Sequence, residues 1–234
     1  MTATARARNP PPDRDGSIAE IDRRLRRKFR PTRLRNRRDA LSELVFILLS
    51  GQTEEYNYLR TYRALRRRYR TWPEVHRAGE ERVYRVIRPG GLGRKKAHQI
   101  VAALGELERR FGSPSLAHLD ALPDVEAERT LTSLPGVGVK TARCVLLYSL
   151  DRTVFPVDTH VWRTLQRLGV VRSKNPKPTQ ADQDALQDRI PTRLRHRLHV
   201  NLVLQGREVC TAVRPKCAIC PLADMCPSRP ALTS

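Results

Sequence analysis

Leu134-Pro135-Gly136-Val137-Gly138-Val139-Lys140 is the stretch on which the reading of this chain turns. Apolar residues recur at helical spacing on both sides of it, over Asp124 to Ser133 and again over Lys140 to Leu150. Between them Pro135, Gly136 and Gly138 suit a sharp turn that presents amide N–H groups outward. Together with the N-terminus of the next helix, such a bend can hold a phosphate without reading sequence. Leu134, Gly136, Val137 and Gly138 are thus candidate phosphate-contact residues, although the same composition also serves an ordinary helix-helix turn.

The helical pattern extends in both directions. Ser17 and Glu20 are spaced as a capping box ahead of Ile18, Ile21, Leu25 and Phe29. Leu41 to Leu49 is almost wholly apolar, and its lack of alternation favours a central helix over a buried strand. Further helices are expected over Tyr56 to Tyr69, Glu80 to Ile87, Lys95 to Phe111 and Thr159 to Leu168. Gly and Pro punctuate between them, and no hairpin signal for strands occurs, so the chain is expected to be all-α.

Lys140 closes the quoted stretch. Of 45 basic residues 38 are Arg, yet this position is Lys. An amine can lose its proton and attack a sugar carbon to form a Schiff base, whereas a guanidinium stays charged. Desolvation and the positive helix end are expected to ease that deprotonation. Eighteen residues on, Asp158 in Val157-Asp158-Thr159-His160 suits a helix N-cap. Its carboxylate can also take a proton from the amine and stabilise positive charge on a sugar. His160 is given no chemical role.

Composition narrows the partner. The 234 residues carry 45 Lys plus Arg against 24 Asp plus Glu, a net charge of +21, which points to a polyanion. Residues 1–38 alone hold 13 basic and 4 acidic side chains. The first sixteen residues, with Asn9-Pro10-Pro11-Pro12, read as a flexible basic tail. Twelve aromatics are few for a single-strand stacking surface. No apolar run is long enough to span a membrane and none near Met1 resembles a secretion signal, so a soluble intracellular protein is expected.

Four of the five cysteines, Cys210, Cys217, Cys220 and Cys226, crowd into a Cys-x6-Cys-x2-Cys-x5-Cys pattern. Four thiolates so placed in an intracellular chain point to zinc or an iron-sulfur cluster, and the chemistry alone does not choose. Cys144, among Val145, Leu146 and Leu147, reads as a buried, inert thiol.

Taken together, the bend with its lysine, the Val-Asp-Thr-His segment and the cysteine spacing resemble the endonuclease III family of helix-hairpin-helix DNA glycosylases, from about Ser17 to Cys226. The resemblance implies two helical domains flanking a DNA-binding cleft. One is a six-helix barrel carrying the helix-hairpin-helix, residues 33–152; the other is a cluster domain formed by both chain ends, residues 17–32 and 153–234. It implies a 4Fe-4S cluster on the four cysteines, Lys140 as nucleophile at C1′ and Asp158 as its helper. Gln52 and Leu92 match the residues that fill the gap left by a flipped base. The implied activity is a bifunctional glycosylase and AP lyase of base excision repair, removing oxidised pyrimidines from double-stranded DNA and nicking abasic sites. The protein would be a monomer in the bacterial cytoplasm, associated with the nucleoid and with no membrane partner.

Two positions depart from the family pattern. Val139 stands where Arg or Lys often precedes the catalytic lysine, and Thr132 where some relatives carry an acid. The rival readings are a monofunctional, adenine- or mismatched-thymine-type glycosylase, against which Lys140 argues, and a non-catalytic DNA-binding module. Colour tests the cofactor: the purified protein is expected to absorb in the visible, because zinc is d¹⁰ and colourless while iron-sulfur charge transfer is not. A colourless, zinc-loaded preparation would refute the cluster.

Overall fold

The computed structural model describes residues 15–29, 34 and 36–229, and every regular element among them is helical. In chain order these are α1 (Asp15–Lys28), α2 (Ala40–Ser50), α3 (Glu55–Arg68), α4 (Trp72–Ile87), α5 (Gly93–Phe111), α6 (Asp124–Thr132), α7 (Val139–Ser149), α8 (Thr159–Arg167), α9 (Gln180–Arg189) and α10 (Thr192–Glu208). The all-α expectation holds. No helix among the described residues is long and apolar enough to cross a membrane. Residues 1–14, most of the expected tail, lie outside the described residues.

Two apolar cores form. The first gathers α2 to α7, with α2 as its axis. Ala40, Leu41, Leu44, Val45, Phe46, Ile47, Leu48 and Leu49 are all buried, so α2 is enclosed on every side. That is why its sequence shows no amphipathic period. Each such side chain stabilises the fold by about 1.5–3 kcal/mol when fully buried. The second core joins the chain's two ends: Ile18, Ile21, Leu25 and Phe29 of α1 pack with Phe155, Trp162, Leu198 and Leu202. Arg197 on α10 grips Asp22 on α1 through two bonds of 2.9 and 2.6 Å, fixing the register of the two helices.

Local differences from the sequence expectation have physical causes. Helix α1 already begins at Asp15, so Ser17 lies within its first turn and the expected capping box does not form there. Glu20 instead bonds Arg23 and Arg24. Helix α4 starts at Trp72, well before Glu80, and breaks at Gly79, where φ is +75°. The sequence reading names no helix beyond Leu168, yet α9 and α10 follow. Helix α10 buries Leu194, Leu198, His199, Val200, Asn201, Leu202 and Val203, and apolar and polar residues alike face inward. Enclosure again erases the period.

Among the described residues three that are not glycine have positive φ, and two of them are Gln52 and Leu92, both at +51°. The turns that carry them are tied together. Lys96 Nζ, nearly fully buried, donates to the Leu49 carbonyl at 2.6 Å and to the Thr53 hydroxyl. Thr53 Oγ1 in turn donates to the Gly90 carbonyl at 3.2 Å. Burial alone pulls the Lys96 pKa down to about 8. Lys96→Met is expected to leave the Leu49 carbonyl without this donor and cost about 1–3 kcal/mol, read as a lower urea midpoint at unchanged slope.

Candidate active site

Between the two cores opens a pocket of about 460 Å³. Lys140, Cys144 and Tyr148 reach it from successive turns of α7; Asp158, Thr159 and His160 reach it from the start of α8; His199, Val203 and Arg207 come from α10. Gln52, Glu55 and Tyr58 supply the α2–α3 side. The spacing of Lys140, Cys144 and Tyr148 at four residues aligns them on one helix face. Lys140, Asp158 and Gln52, three of the residues singled out by sequence, therefore share one cavity.

Asp158 is the N-cap of α8, as the sequence suggested. Its Oδ1 accepts the His160 and Val161 amides at 2.9 and 2.8 Å, leaving Oδ2 uncommitted. The start of α8 is pressed against α10 at Gly206, where a Cβ would lie 2.6 Å from that of His160. Arg163 clamps the approach by donating to the Gly206 carbonyl at 2.8 Å. Burial raises the Asp158 pKa, but His199, Lys140, His160 and the Val161 amide outweigh it, and the carboxyl ends below its ordinary value. Burial pushes His199 itself down to about 4. At neutral pH His199 is therefore uncharged, while Lys140 still lends Asp158 its positive field.

Neutral His199 spans the two cores. With its Nδ1 hydrogen directed to the Pro156 carbonyl at 2.9 Å, Nε2 accepts from the Tyr148 hydroxyl at 2.7 Å. Arg207 on α10 makes a second tie, pairing with Glu55 on α3 at 2.9 Å. Sequence reasoning passed over Tyr148, His199 and Arg207. Their signal is tertiary, because each lies on a helix whose own pattern explains it as packing.

The expectation that Lys140 is eased toward its neutral form is corrected. Desolvation does favour the neutral amine, but Cys144, Asp158 and Glu43 outweigh it, and the pKa ends above the ordinary lysine value. Cys144 is buried as expected, and burial lifts its pKa to about 11. It also faces Lys140, a position the sequence did not disclose. Glu43 is fully buried, accepting from the Arg37 amide at 2.6 Å and from Asn36, and desolvation brings its pKa up to about 7.

The bend before α7 is a tight turn, with the Val137 amide donating to the Leu134 carbonyl at 3.1 Å. Leu134 and Val137 are buried anchors, while Pro135, Gly136 and Gly138 are exposed. Gly136 has φ +75°, and a Cβ there would strike Gln99, so only glycine fits. Helix α7 has no side-chain cap at Gly138, which leaves its first amides to an outside acceptor. Leu92 is 49% exposed at a left-handed turn. Neither it nor the bend lines the pocket. Thr132 bonds back to the Glu128 carbonyl at 2.8 Å.

Cys210, Cys217, Cys220 and Cys226 are all free and half-buried. Burial raises the Cys220 and Cys226 thiols, and each feels the neighbouring sulfurs. Arg167 donates to Cys210 Sγ at 3.3 Å and Gln205 to Cys220 Sγ at 3.2 Å. Among the described residues no three His, Cys, Asp or Glu side chains converge on one ion position. Arg167 and Gln205 thus already direct donors at two of the four sulfurs, the kind of outer contact that supports a metal-bound thiolate.

Known proteins place this architecture. Residues 45–188 match the HhH-GPD superfamily of base excision DNA repair proteins, and residues 210–226 match the iron-sulfur binding domain of endonuclease III, so the chain carries the domain of a 4Fe-4S cluster. Endonuclease III of Thermotoga maritima is 32% identical over 209 residues, 89% of this chain and 92% of that protein. Endonuclease III of Treponema pallidum is 35% identical over 191 residues, 81% of this chain and 84% of that one. A solved structure of a trapped endonuclease III–DNA covalent intermediate aligns with TM-score 0.80 at 25% identity, covering 94% of this chain and 99% of that chain. With residues 45–188 and the cysteine loop both matched in this way, the chain belongs to the HhH-GPD superfamily of base excision repair proteins and, within it, to the endonuclease III family.

Proposed function

We propose that this base excision repair protein is a bifunctional DNA glycosylase and abasic-site lyase that removes oxidised pyrimidines from duplex DNA. The observation that carries the reading is the sharing of one pocket by Lys140 and Asp158. The damaged nucleotide is extruded into that pocket. Lys140 Nζ, once neutral, attacks C1′; the glycosidic bond breaks, and the base departs with the bonding pair and a proton. Opening of the sugar ring leaves an imine between C1′ and Lys140. Loss of a C2′ proton then expels the 3′ phosphate and nicks the strand, and water hydrolyses the imine to free the lysine. Asp158 offsets positive charge at the sugar and receives a proton from the amine.

Gln52 and Leu92 fill the gap in the duplex from their paired left-handed turns. Leu134, Gly136, Val137 and Gly138 grip a phosphate through backbone amides and the start of α7. Cys210, Cys217, Cys220 and Cys226 hold the cluster, whose contribution is to shape the loop that offers Arg214 and Lys216 to the backbone. Residues 33–152 constitute the barrel domain, and 17–32 with 153–234 the cluster domain. The protein acts as a monomer on nucleoid DNA.

Borohydride reduction with duplex bearing an oxidised pyrimidine or an abasic site tests the reading. Wild type is expected to be trapped covalently, and Lys140→Gln to lose the adduct while keeping duplex affinity; base release without any adduct would sink the lyase. Asp158→Asn keeps a good N-cap, so the fold should survive while single-turnover excision falls by roughly 10²–10⁴-fold. Because the resting Lys140 is an ammonium with a raised pKa, its reactive fraction grows as protons are removed. Single-turnover rate should therefore climb with pH from neutrality up to the edge of protein stability; a rate that falls over that range would contradict an amine nucleophile.

A further inference from the structure

Several arginines on the helix surfaces are matched with acids. Glu20 serves Arg23 and Arg24, Glu106 serves Arg109 and Arg110, and Glu81 serves Arg85 and Arg94. The outer face of α3 carries a row that is not. Arg60, Arg63 and Arg67 are exposed at intervals of three and four residues, and among the described residues no carboxylate pairs with any of them. Like charges at that spacing repel along a helix. The two acids of the segment, Glu54 and Glu55, stand at its other end, and Glu55 is taken by Arg207.

Arg63 and Arg67 line a groove of about 680 Å³ with Asn36, Arg37, Leu59, Tyr62 and Arg66, and Arg60 joins them along an adjoining depression with Tyr56 and Leu59. Its floor is rigid. Arg37 lies 4.6 Å from the centroids of both Phe46 and Tyr62, and Arg66 lies 4.5 Å from that of Trp72. Among the described residues neither guanidinium has all its donors met: Nε of Arg37 and one terminal nitrogen of Arg66 find no acceptor. The groove adjoins the pocket at Asn36, which lines both.

We propose that this groove binds the phosphodiester backbone of duplex DNA flanking the lesion, so that the footprint runs from the pocket along α3. Arginines stepping about 4.5 and 6 Å along the helix axis offer repeated contacts to a regular polyanion rather than a single-ion site. Unpaired guanidinium donors beneath them add fixed positive charge where the backbone enters. The proposal rests on DNA being the substrate, and it goes beyond the reading above by giving α3 a binding role separate from catalysis.

The test is the triple variant Arg60→Gln, Arg63→Gln, Arg67→Gln in the full chain. Binding to duplexes carrying a stable abasic-site analogue is measured against salt at about 12 and about 30 base pairs, since each lost phosphate contact lowers the log–log slope by about 0.9. Wild type should show a steeper slope and tighter binding on the long duplex. In the triple variant the long-duplex slope should fall by roughly two to three, to the level of the short one. Single-turnover cleavage of the short duplex should be unchanged, and the corresponding triple Lys variant should restore the slope. An unaltered long-duplex slope in the Gln variant overturns the proposal, as does loss of short-duplex cleavage with no rescue by Lys. Capture of an acidic protein at this face with DNA binding unaffected would likewise overturn it. If wild type binds no duplex of either length, the DNA reading itself fails.

Discussion

A lysine ammonium in a half-enclosed cleft, within the field of nearby acids, is the constraint around which this protein is arranged. Lys140 cannot be placed there cheaply, because removing its charge from water is opposed unless negative charge lies close by. Asp158 supplies that charge from the N-cap of α8, joined in part by Glu43 on the axis of the first core, whose pKa is pushed up to about 7. Each carboxylate is in turn fixed by backbone amides, His160 and Val161 for one and Arg37 for the other. The pocket is preorganised by groups that also serve to start or enclose helices, so the geometry of the pocket and the fold share the same bonds.

The seam between the cores explains why the pocket keeps its shape. Tyr148 and His199 bond across it, Arg207 reaches to Glu55, and Arg143 joins Glu128 on α6 to Asp184 on α9. Arg143 is only 3% exposed, and a buried guanidinium missing one partner would be costly. These ties act as specificity devices at the junction rather than as large sources of stability. His199 shows the economy of the arrangement: kept neutral, it both donates and accepts, which a protonated ring could not do.

How much of this was legible in the sequence depended on what kind of signal each residue leaves. Local chemistry left clear marks. The glycines of the bend, the capping aspartate and the cysteine spacing are all dictated by backbone or ligand requirements within a few residues. The amphipathic helix α8 was readable for the same reason, one face wet and one dry. Helix α10 was not, since burial around it removed the contrast that periodicity needs. Tyr148, His199 and Lys96 were invisible as site residues because their meaning arises from partners tens of residues away. The reading of Lys140 erred instructively: helix end and desolvation were visible locally, whereas Glu43, ninety-seven positions earlier, was not.

The left-handed turns at Gln52 and Leu92 extend this logic from charge to backbone. Neither residue type favours positive φ, and each such position costs on the order of 1–3 kcal/mol unless surrounding structure compels it. The compulsion is visible in Lys96, whose buried ammonium bonds the end of α2 and Thr53, and in Thr53, which holds Gly90. A lysine sequestered with its pKa drawn down to about 8 is itself unfavourable, so two strained turns and one desolvated cation are kept together. Relaxing any one would free the others. Since Leu92 is a large apolar side chain left half in water at the crest of such a turn, its position is explained by what it meets outside the fold rather than by anything it contributes within it.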